Sequence, residues 1–96
     1  MTQPDKVEKV MSLTAQEFTE TLAYVGTAEK KPDGAYEFAL TAGTVRVSYA
    51  PLPSVTFGGL LTLPRAKVTL NFSGVSDSAR EIFLKHFDLM FKRGGG

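Results

Sequence analysis

The chain contains no cysteine, and this absence removes several kinds of chemistry at once. Without thiols there is no disulfide framework, no thiolate metal site and no cysteine nucleophile. Histidine is nearly absent as well, since His86 is the only one. Only one side chain therefore titrates near neutral pH without a perturbing environment, and a serine or threonine nucleophile would have few candidate bases to activate it.

An excess of one charge and a long apolar run are also missing. Eleven Lys and Arg residues balance ten Asp and Glu residues, and the net charge of +1 gives no overall attraction to nucleic acid or anionic lipid. No apolar stretch approaches the length of a membrane span, and residues 1–9 carry charge where a signal peptide needs an apolar core. We expect a cytoplasmic protein that does not associate with membranes.

What is present is ordinary for a folded protein. The 96 residues are 43% hydrophobic and 22% charged, which predicts one domain spanning residues 1–96. At this length folding buries about two-thirds of the surface of the unfolded chain, so the core is thin. Polar residues at the start and glycines at the end predict flexible ends at residues 1–11 and 94–96.

The first predicted helix begins with a capping motif. Thr14 and Glu17 have the spacing at which each side chain can bond the backbone of the other residue. The apolar residues of this helix are Ala15, Phe18, Leu22 and Val25, and Gly26 is a natural end.

A second helix is predicted near the carboxyl terminus, where Ser78 and Glu81 repeat the capping spacing. The residues that recur at helical spacing are Ala79, Ile82, Phe83, Phe87 and Met90. His86 falls on this apolar stripe with no carboxylate three or four residues away. We interpret it as a packing residue rather than a catalyst.

Strands are predicted between the helices from two-residue alternation, at residues 36–40, 45–49, 55–57 and 66–72. Turns are predicted at Lys31-Pro32-Asp33-Gly34 and at Ala42-Gly43. Gly74 should take a positive φ where the chain returns from the last strand to the helix.

The region between these strands is harder to interpret. Pro51-Leu52-Pro53 predicts an extended connector without regular pairing. Gly58-Gly59 either closes a hairpin between residues 54–57 and 60–63 or forms a bulge within one longer strand. The apolar positions change parity between Leu63 and Ala66, which predicts a bend or turn near Pro64.

These elements predict an α+β fold with two layers. Each strand has one apolar face, and the connections between strands are too short to hold a crossover helix. We expect an antiparallel β-meander of three to five strands, with an N-terminal and a C-terminal helix packed on one face.

The main functional hypothesis comes from residues 50–64, which contain no charge. Not all apolar side chains of this run can face one core, because neighbours such as Leu60 and Leu61 point in opposite directions along a strand. Uncharged patches with a charged rim are typical of protein contacts. We predict a non-enzymatic binding or assembly module, with self-association as one form, whose partner-binding residues are Leu52, Phe57, Leu60 and Leu61. The alternative that the segment packs on its own domain stays open.

A different hypothesis places an anion site on the polar face of the sheet. Arg46, Arg65 and Lys67 alternate there with hydroxyl side chains, which would suit a small anionic ligand or a nucleic-acid backbone. Exposed aromatic rings are missing from this predicted face, so single-stranded nucleic acid is not the expected partner.

Two further alternatives rank lower. The carboxylates are spread over solvent faces, turns and caps without metal-ligand spacing, so no catalytic, cofactor or metal residue is assigned. The carboxyl-terminal Arg93-Gly94-Gly95-Gly96 resembles the diglycine tails of ubiquitin-like modifiers and sulfur carriers, which implies a terminal carboxylate that is adenylated. Those families enter the tail from a strand, whereas a helix leads into it here, and the glycines also suit a helix cap and flexible end.

Overall fold

The structure is a computed structural model that describes residues 5–93, with side chains for residues 5–92. Its elements in chain order are β1 (Lys6–Met11), α1 (Ala15–Val25), β2 (Glu29–Lys30), β3 (Tyr36–Ala39), β4 (Thr44–Phe57), β5 (Leu61–Ser73) and α2 (Asp77–Arg93). The strands form one antiparallel sheet in the order β1-β5-β4-β3-β2. The predicted two-layer α+β fold is confirmed, with β2 to β5 as its meander.

Helix α1 begins and ends where the sequence predicts. The backbone N–H of Glu17 donates to Thr14 Oγ1 at 3.1 Å, and the backbone N–H of Thr14 donates to Glu17 Oε1 at 2.8 Å. At the other end the N–H of Gly26 donates to the carbonyl oxygen of Leu22 at 3.3 Å. The capping box and the glycine stop are both local signals, which is why they identify this helix without tertiary information.

The flexible end predicted for residues 1–11 is wrong for Lys6–Met11, which form the edge strand β1. This strand pairs with β5 from Lys6 opposite Asn71 to Met11 opposite Ala66. Its core-facing positions are Val7, Lys9 and Met11, and the lysine in the middle hides the apolar alternation. Lys9 is accommodated because its Nζ lies 3.0 Å from an Asp88 carboxylate oxygen on α2. Residues 1–4 and 94–96 lie outside the described residues.

Helix α2 is where predicted, but it is rotated about its axis. Its buried residues are Arg80, Phe83, Phe87 and Phe91, whereas Ile82 is 69% exposed. The rings of Phe87 and Phe91 stack with centroids 4.3 Å apart, and Phe83 meets Phe72 edge to face. Three phenylalanines offer more apolar area than one isoleucine, and they decide which side of the helix faces the sheet.

The core lies between the two helices and one face of the sheet. Its buried members are Leu13, Phe18, Leu22, Val25, Phe38, Val45, Val47, Ala66, Val68, Leu70, Phe72, Phe83, Phe87 and Phe91. The two turns at the end of this layer need glycine, as Gly43 and Gly74 have φ of 89° and 70° and touch each other. The positive φ predicted for Gly74 is confirmed.

Candidate functional site: a projecting β-ribbon

Strands β4 and β5 extend well beyond the strands on either side of them. Strand β3 pairs with β4 only as far as Val47, and β1 pairs with β5 only from Ala66. The outer parts of β4 and β5 pair only with each other. We call residues 52–65 the ribbon. It contributes to the elongated outline of the molecule, 47 × 30 × 24 Å.

The connector without regular pairing predicted at Pro51-Leu52-Pro53 is wrong for Pro51 and Leu52, because β4 continues through the segment and only Pro53 falls where the register shifts. Pro51 lies opposite Ala66 and Leu52 lies opposite Arg65 in the ladder. Of the two interpretations of Gly58-Gly59, the hairpin is confirmed. Phe57 pairs with Leu61 across the turn, both glycines have positive φ, 60° and 74°, and the N–H of Leu60 donates to the carbonyl oxygen of Phe57 at 3.1 Å.

A bulge controls which way the ribbon side chains point. The register shifts between Leu52 and Val55, so that Pro53 and Ser54 together lie opposite Pro64. Beyond the bulge Val55 pairs with Leu63 and Phe57 pairs with Leu61. In β5 the odd-numbered residues share the face that carries Arg65 and Lys67, which is the face away from the core.

The change of parity near Pro64 therefore has a different meaning from the one predicted. No turn interrupts β5, which runs from Leu61 to Ser73. The apolar side chains change face instead. We call the ribbon side chains that point away from the core the apolar face, and they are Leu52, Val55, Phe57, Leu61 and Leu63. The opposite side of the ribbon carries Thr56 and Thr62, whose hydroxyl oxygens are 3.3 Å apart.

The apolar face is open to solvent in the monomer. Phe57 is 54% exposed and Leu61 is 53% exposed, while Leu60 in the turn is 97% exposed. Val10 of β1 belongs to the same side of the sheet and is 59% exposed. At the base of the ribbon lies a depression of about 250 Å³, lined by Val10, Met11, Ser12, Val55, Phe57, Leu63 and Arg65.

Prolines remove hydrogen-bond donors from the open edges of β4 and β5, at the base of the ribbon. Antiparallel pairs alternate between bonded and unbonded, and the bond from the N–H of Leu40 to the Gly43 carbonyl sets this phase for β4. By that alternation the nitrogen of Pro51 lies on the open side of β4, where it has no hydrogen to donate. On the open side of β5, Pro64 likewise lacks a donor, and its carbonyl oxygen accepts from Ser12 Oγ at 2.9 Å. Addition of another strand to these edges is thereby disfavoured.

The three cations of the predicted anion site share a face of the sheet but do not converge. Arg46 lies opposite Asn71, which is four residues from Lys67, or about 13 Å along the strand. Arg46 Nη2 is 3.0 Å from an Asp33 carboxylate oxygen, and Lys67 Nζ is 3.6 Å from one of Glu8. Among the described residues, Arg65 has no carboxylate within 4 Å.

His86 lies outside the core, on the exposed part of α2. Its Nε2 is 3.0 Å from the carbonyl oxygen of Val25 at the end of α1, so this nitrogen acts as the donor. Within residues 5–93 no three Asp, Glu or His side chains form a group able to hold a metal ion. The described residues add no site to the enzyme hypothesis, and a non-enzymatic role stays a prediction.

Sequence reasoning missed Arg80, a buried cation in the first turn of α2. Only 5% of its side chain is exposed. Its Nη2 is 2.5 Å from an Asp77 oxygen and its Nη1 is 3.5 Å from an Asp5 oxygen, while the guanidinium lies 5.9 Å from the ring centre of Phe72. The i,i+3 spacing of Asp77 and Arg80 was the available signal. These contacts connect α2 to the chain just before β1, so the role is structural.

Comparison with known proteins adds no functional assignment. No family model matches the chain, and neither the curated proteins nor the solved structures contain a match. In residues 5–93, neither helix is long and apolar enough to cross a membrane. Residues 94–96, on which the diglycine resemblance depends, lie outside the described residues, so that hypothesis rests on the sequence alone.

Proposed function

We propose that the protein is a non-enzymatic binding or assembly module that contacts another protein chain through the apolar face of the ribbon. One observation supports this most directly: the bulge at Pro53 and Ser54 turns Val55 and Phe57 away from the core of their own domain. A segment that served only its own core would keep them on the other face. Residues 50–64 carry no charge, so covering this part of the ribbon removes no ionised side chain from water.

The energetics favour a contact of moderate strength. Complete burial of an exposed Phe or Leu side chain contributes about 1.5–3 kcal/mol. Phe57 and Leu61 are already half covered, so each has about half of that left to gain. Association costs about 4–15 kcal/mol in lost translational and rotational freedom. The partner must therefore also cover Leu60 and the rim of the ribbon.

The shape of the ribbon restricts how a partner binds. Because Pro51 and Pro64 leave gaps in the donor pattern along the open edges of β4 and β5, a partner that adds a strand there would lose backbone hydrogen bonds. Contact through side chains has no such penalty. The partner surface is expected to present an apolar groove or patch for Phe57 and Leu60.

Photo-cross-linking tests this proposal, because neighbouring residues of the ribbon point to opposite faces. A photoreactive phenylalanine analogue is placed at Phe57 in one variant and at Thr56 in another, and each full-length protein is irradiated in extract of its own cells. We expect discrete protein adducts from position 57 and none from position 56. Equal adduct formation at both positions, or none at position 57, would contradict the proposal.

The anion hypothesis remains a separate prediction, favoured by one observation. Arg65 lies on the outer face without a carboxylate within 4 Å among the described residues, next to Lys67 in the alternation. A phosphate backbone bound there would release counterions, so affinity would fall steeply with salt. Retention on heparin that does not change between about 50 and 200 mM salt would argue against it.

A further inference from the structure

Arg65 lies where the apolar face of the ribbon meets the charged part of the sheet. It follows Leu63 on the outer side of β5, lies opposite Leu52 in the ladder and precedes Lys67 in the alternation. Arg65 is half-buried and lines the depression of about 250 Å³ at the base of the ribbon, where most of the other lining residues are apolar. A partner that covers the apolar face down to its base therefore covers Arg65 as well.

No carboxylate of the chain lies beside Arg65. None is within 4 Å among the described residues, and that range includes all ten Asp and Glu residues of the sequence. On the same outer side, Lys67 Nζ and Lys6 Nζ lie 3.6 and 3.5 Å from the same carboxylate oxygen of Glu8. These four side chains bring three positive charges and one negative charge to this part of the surface.

The carboxylates of α1 are engaged elsewhere. Glu17 and Glu20 line a different depression, which they share with Pro64. Glu17 Oε1 accepts from the backbone N–H of Thr14 at 2.8 Å, and Glu20 Oε2 accepts from Gln16 Nε2 at 3.2 Å. A carboxylate that pairs with the cation at the base of the ribbon therefore has to come from a partner.

We infer that the partner places an acidic side chain, flanked by large apolar side chains, against Arg65. The inference rests on the proposed function, since it names the chemistry of the same contact. Covering Arg65 without an anion would remove a cation from water with nothing to replace its hydration, which is strongly unfavourable.

An aspartate or glutamate offsets this desolvation, because a guanidinium binds a carboxylate through two parallel hydrogen bonds. The flanking apolar side chains then cover Val55, Phe57 and Leu63, which line the same depression. This lining favours an acidic group set among apolar side chains over the exposed phosphates of a nucleic acid. Charge and apolar surface thus select one kind of protein segment.

Peptide selection on the purified, full-length protein tests the inference. A phage-displayed library of random peptides of about 12 residues, which at about 3.3 Å per residue can span the ribbon, is selected on the natural protein and on two variants. We expect the natural protein to select Asp or Glu beside large apolar residues, and Arg65→Glu to select Lys or Arg in that place. Acidic residues at equal frequency on both proteins, or no enriched peptide on the natural protein, would overturn the inference.

Arg46→Gln is the matched control. Arg46 lies on the same face of the sheet, but its Nη2 is 3.0 Å from an Asp33 carboxylate oxygen. This variant should select the same peptides as the natural protein. A loss of acidic peptides on Arg46→Gln as large as the loss on Arg65→Glu would mean that the general charge of the face selects them, and would overturn the inference.

Fluorescence anisotropy with a labelled, selected peptide gives a second readout. Replacement of its acidic residue by the corresponding amide should weaken binding to the natural protein about tenfold and should hardly change binding to Arg65→Gln. Denaturation midpoints establish that the variants fold. An equal loss with Arg65→Gln would show that the acidic residue meets a different group, and would overturn the inference.

These outcomes are separable from the test of the proposed function. Discrete protein adducts from position 57, together with selected peptides that lack acidic residues, would leave the proposed contact standing and overturn only the acidic chemistry of the partner. Absence of adducts from position 57 would contradict the proposed function and the inference with it.

Discussion

At the scale of single residues, Gly43 is the glycine at which an added methyl group is expected to destabilise the fold most. Its φ is 89°, and a Cβ atom there would collide with the carbonyl oxygen of Ser73 and with Gly74. We expect Gly43→Ala to lower the free energy of unfolding by more than about 2 kcal/mol, since a strained φ and a backbone clash add together. Urea denaturation measures the change.

Two other glycines serve as comparisons for Gly43→Ala. Gly74 also has a positive φ, but a Cβ there would meet only the Cα of Gly43 at 3.5 Å, so Gly74→Ala should cost about 1 kcal/mol. Gly26 has an extended backbone with φ of 161°, and its Cβ would touch Phe38 at 3.6 Å, an ordinary contact. Gly26→Ala should stay within about 0.5 kcal/mol. Equal effects at all three positions would contradict the turn geometry.

Ionisation gives a second prediction at this scale. Lys31 Nζ lies 2.6 Å from a Glu29 carboxylate oxygen, and the hydrogen bond holds the pKa of Glu29 below its ordinary value of 4.5. A lowered folded-state pKa means that the pair stabilises the fold above about pH 4.5 and that this contribution is lost as the pH falls through the lowered value.

Replacement of Lys31 should therefore raise the pKa of Glu29. We expect Lys31→Met to raise the pKa of Glu29 toward 4.5, as followed by NMR titration of its carboxyl carbon. Lys30→Met, at the neighbouring exposed lysine, is the control and should change it less. Because Glu29 is largely exposed, the thermal midpoint should hardly change in either variant. An unchanged Glu29 pKa in Lys31→Met would show that the ion pair does not form in solution.

At the scale of elements, motifs whose residues lie close together in sequence predicted more of the fold than pairings between residues far apart in sequence. Helix α1 was predicted with its cap and its end because Thr14, Glu17 and Gly26 act within a few residues of each other. Strand β1 was missed because its stability comes from β5, which lies 65 residues away at the Lys6–Asn71 pair. Three of its own six residues, Lys6, Glu8 and Lys9, are charged, and Lys9 interrupts the apolar alternation, so the segment resembles a solvated end.

For a related reason, the sequence could not predict which side of α2 packs on the sheet or to which face the ribbon side chains point. Helical spacing allows both Ile82 and Phe83 on one stripe, and only packing against the sheet decides between them. In the ribbon the turn at Gly58-Gly59 has a local signature, whereas the bulge at Pro53 depends on the register of both strands. The uncharged residues 50–64 did identify the exposed segment.

Helix α2 gives a prediction that uses its observed phase. Phe87 is fully buried and stacks on Phe91, so Phe87→Ala should lower the free energy of unfolding by about 3–5 kcal/mol. Ile82→Ala on the exposed side of the same helix should change it by less than about 0.5 kcal/mol. Chemical denaturation of both variants decides the point. A larger loss at Ile82 than at Phe87 would mean that α2 faces the sheet with its other side.

At the scale of the whole molecule, the ribbon and the core are separable. Leu52 and Arg65 lie directly opposite each other, so residues 53–64 can be replaced by a two-residue Asn-Gly turn. We expect this variant to stay folded and to lose about 1 kcal/mol, chiefly from the lost hydrogen bond between Ser12 and Pro64. Circular dichroism and thermal denaturation measure this.

The same variant separates folding from association. It should no longer bind a protein partner that photo-cross-linking at position 57 identifies, because it lacks Phe57, Leu60 and Leu61. Unfolding of the shortened chain would show instead that the ribbon covers part of the core, and the predicted self-covering of residues 50–64 would then be the better interpretation.

The pairing of the first strand with the last also fixes an order of events in time. Lys6 cannot meet Asn71 until 65 further residues have been made, which takes roughly 3–13 s at about 5–20 residues per second on the ribosome. During that interval β2, β3 and β4 can pair with strands that are close in sequence, whereas β1 has no partner strand. Contacts between residues so far apart in sequence also slow refolding in the test tube. Strand β1 is thus made before the strand that it pairs with, and its backbone donors and acceptors stay without a sheet partner until β5 follows.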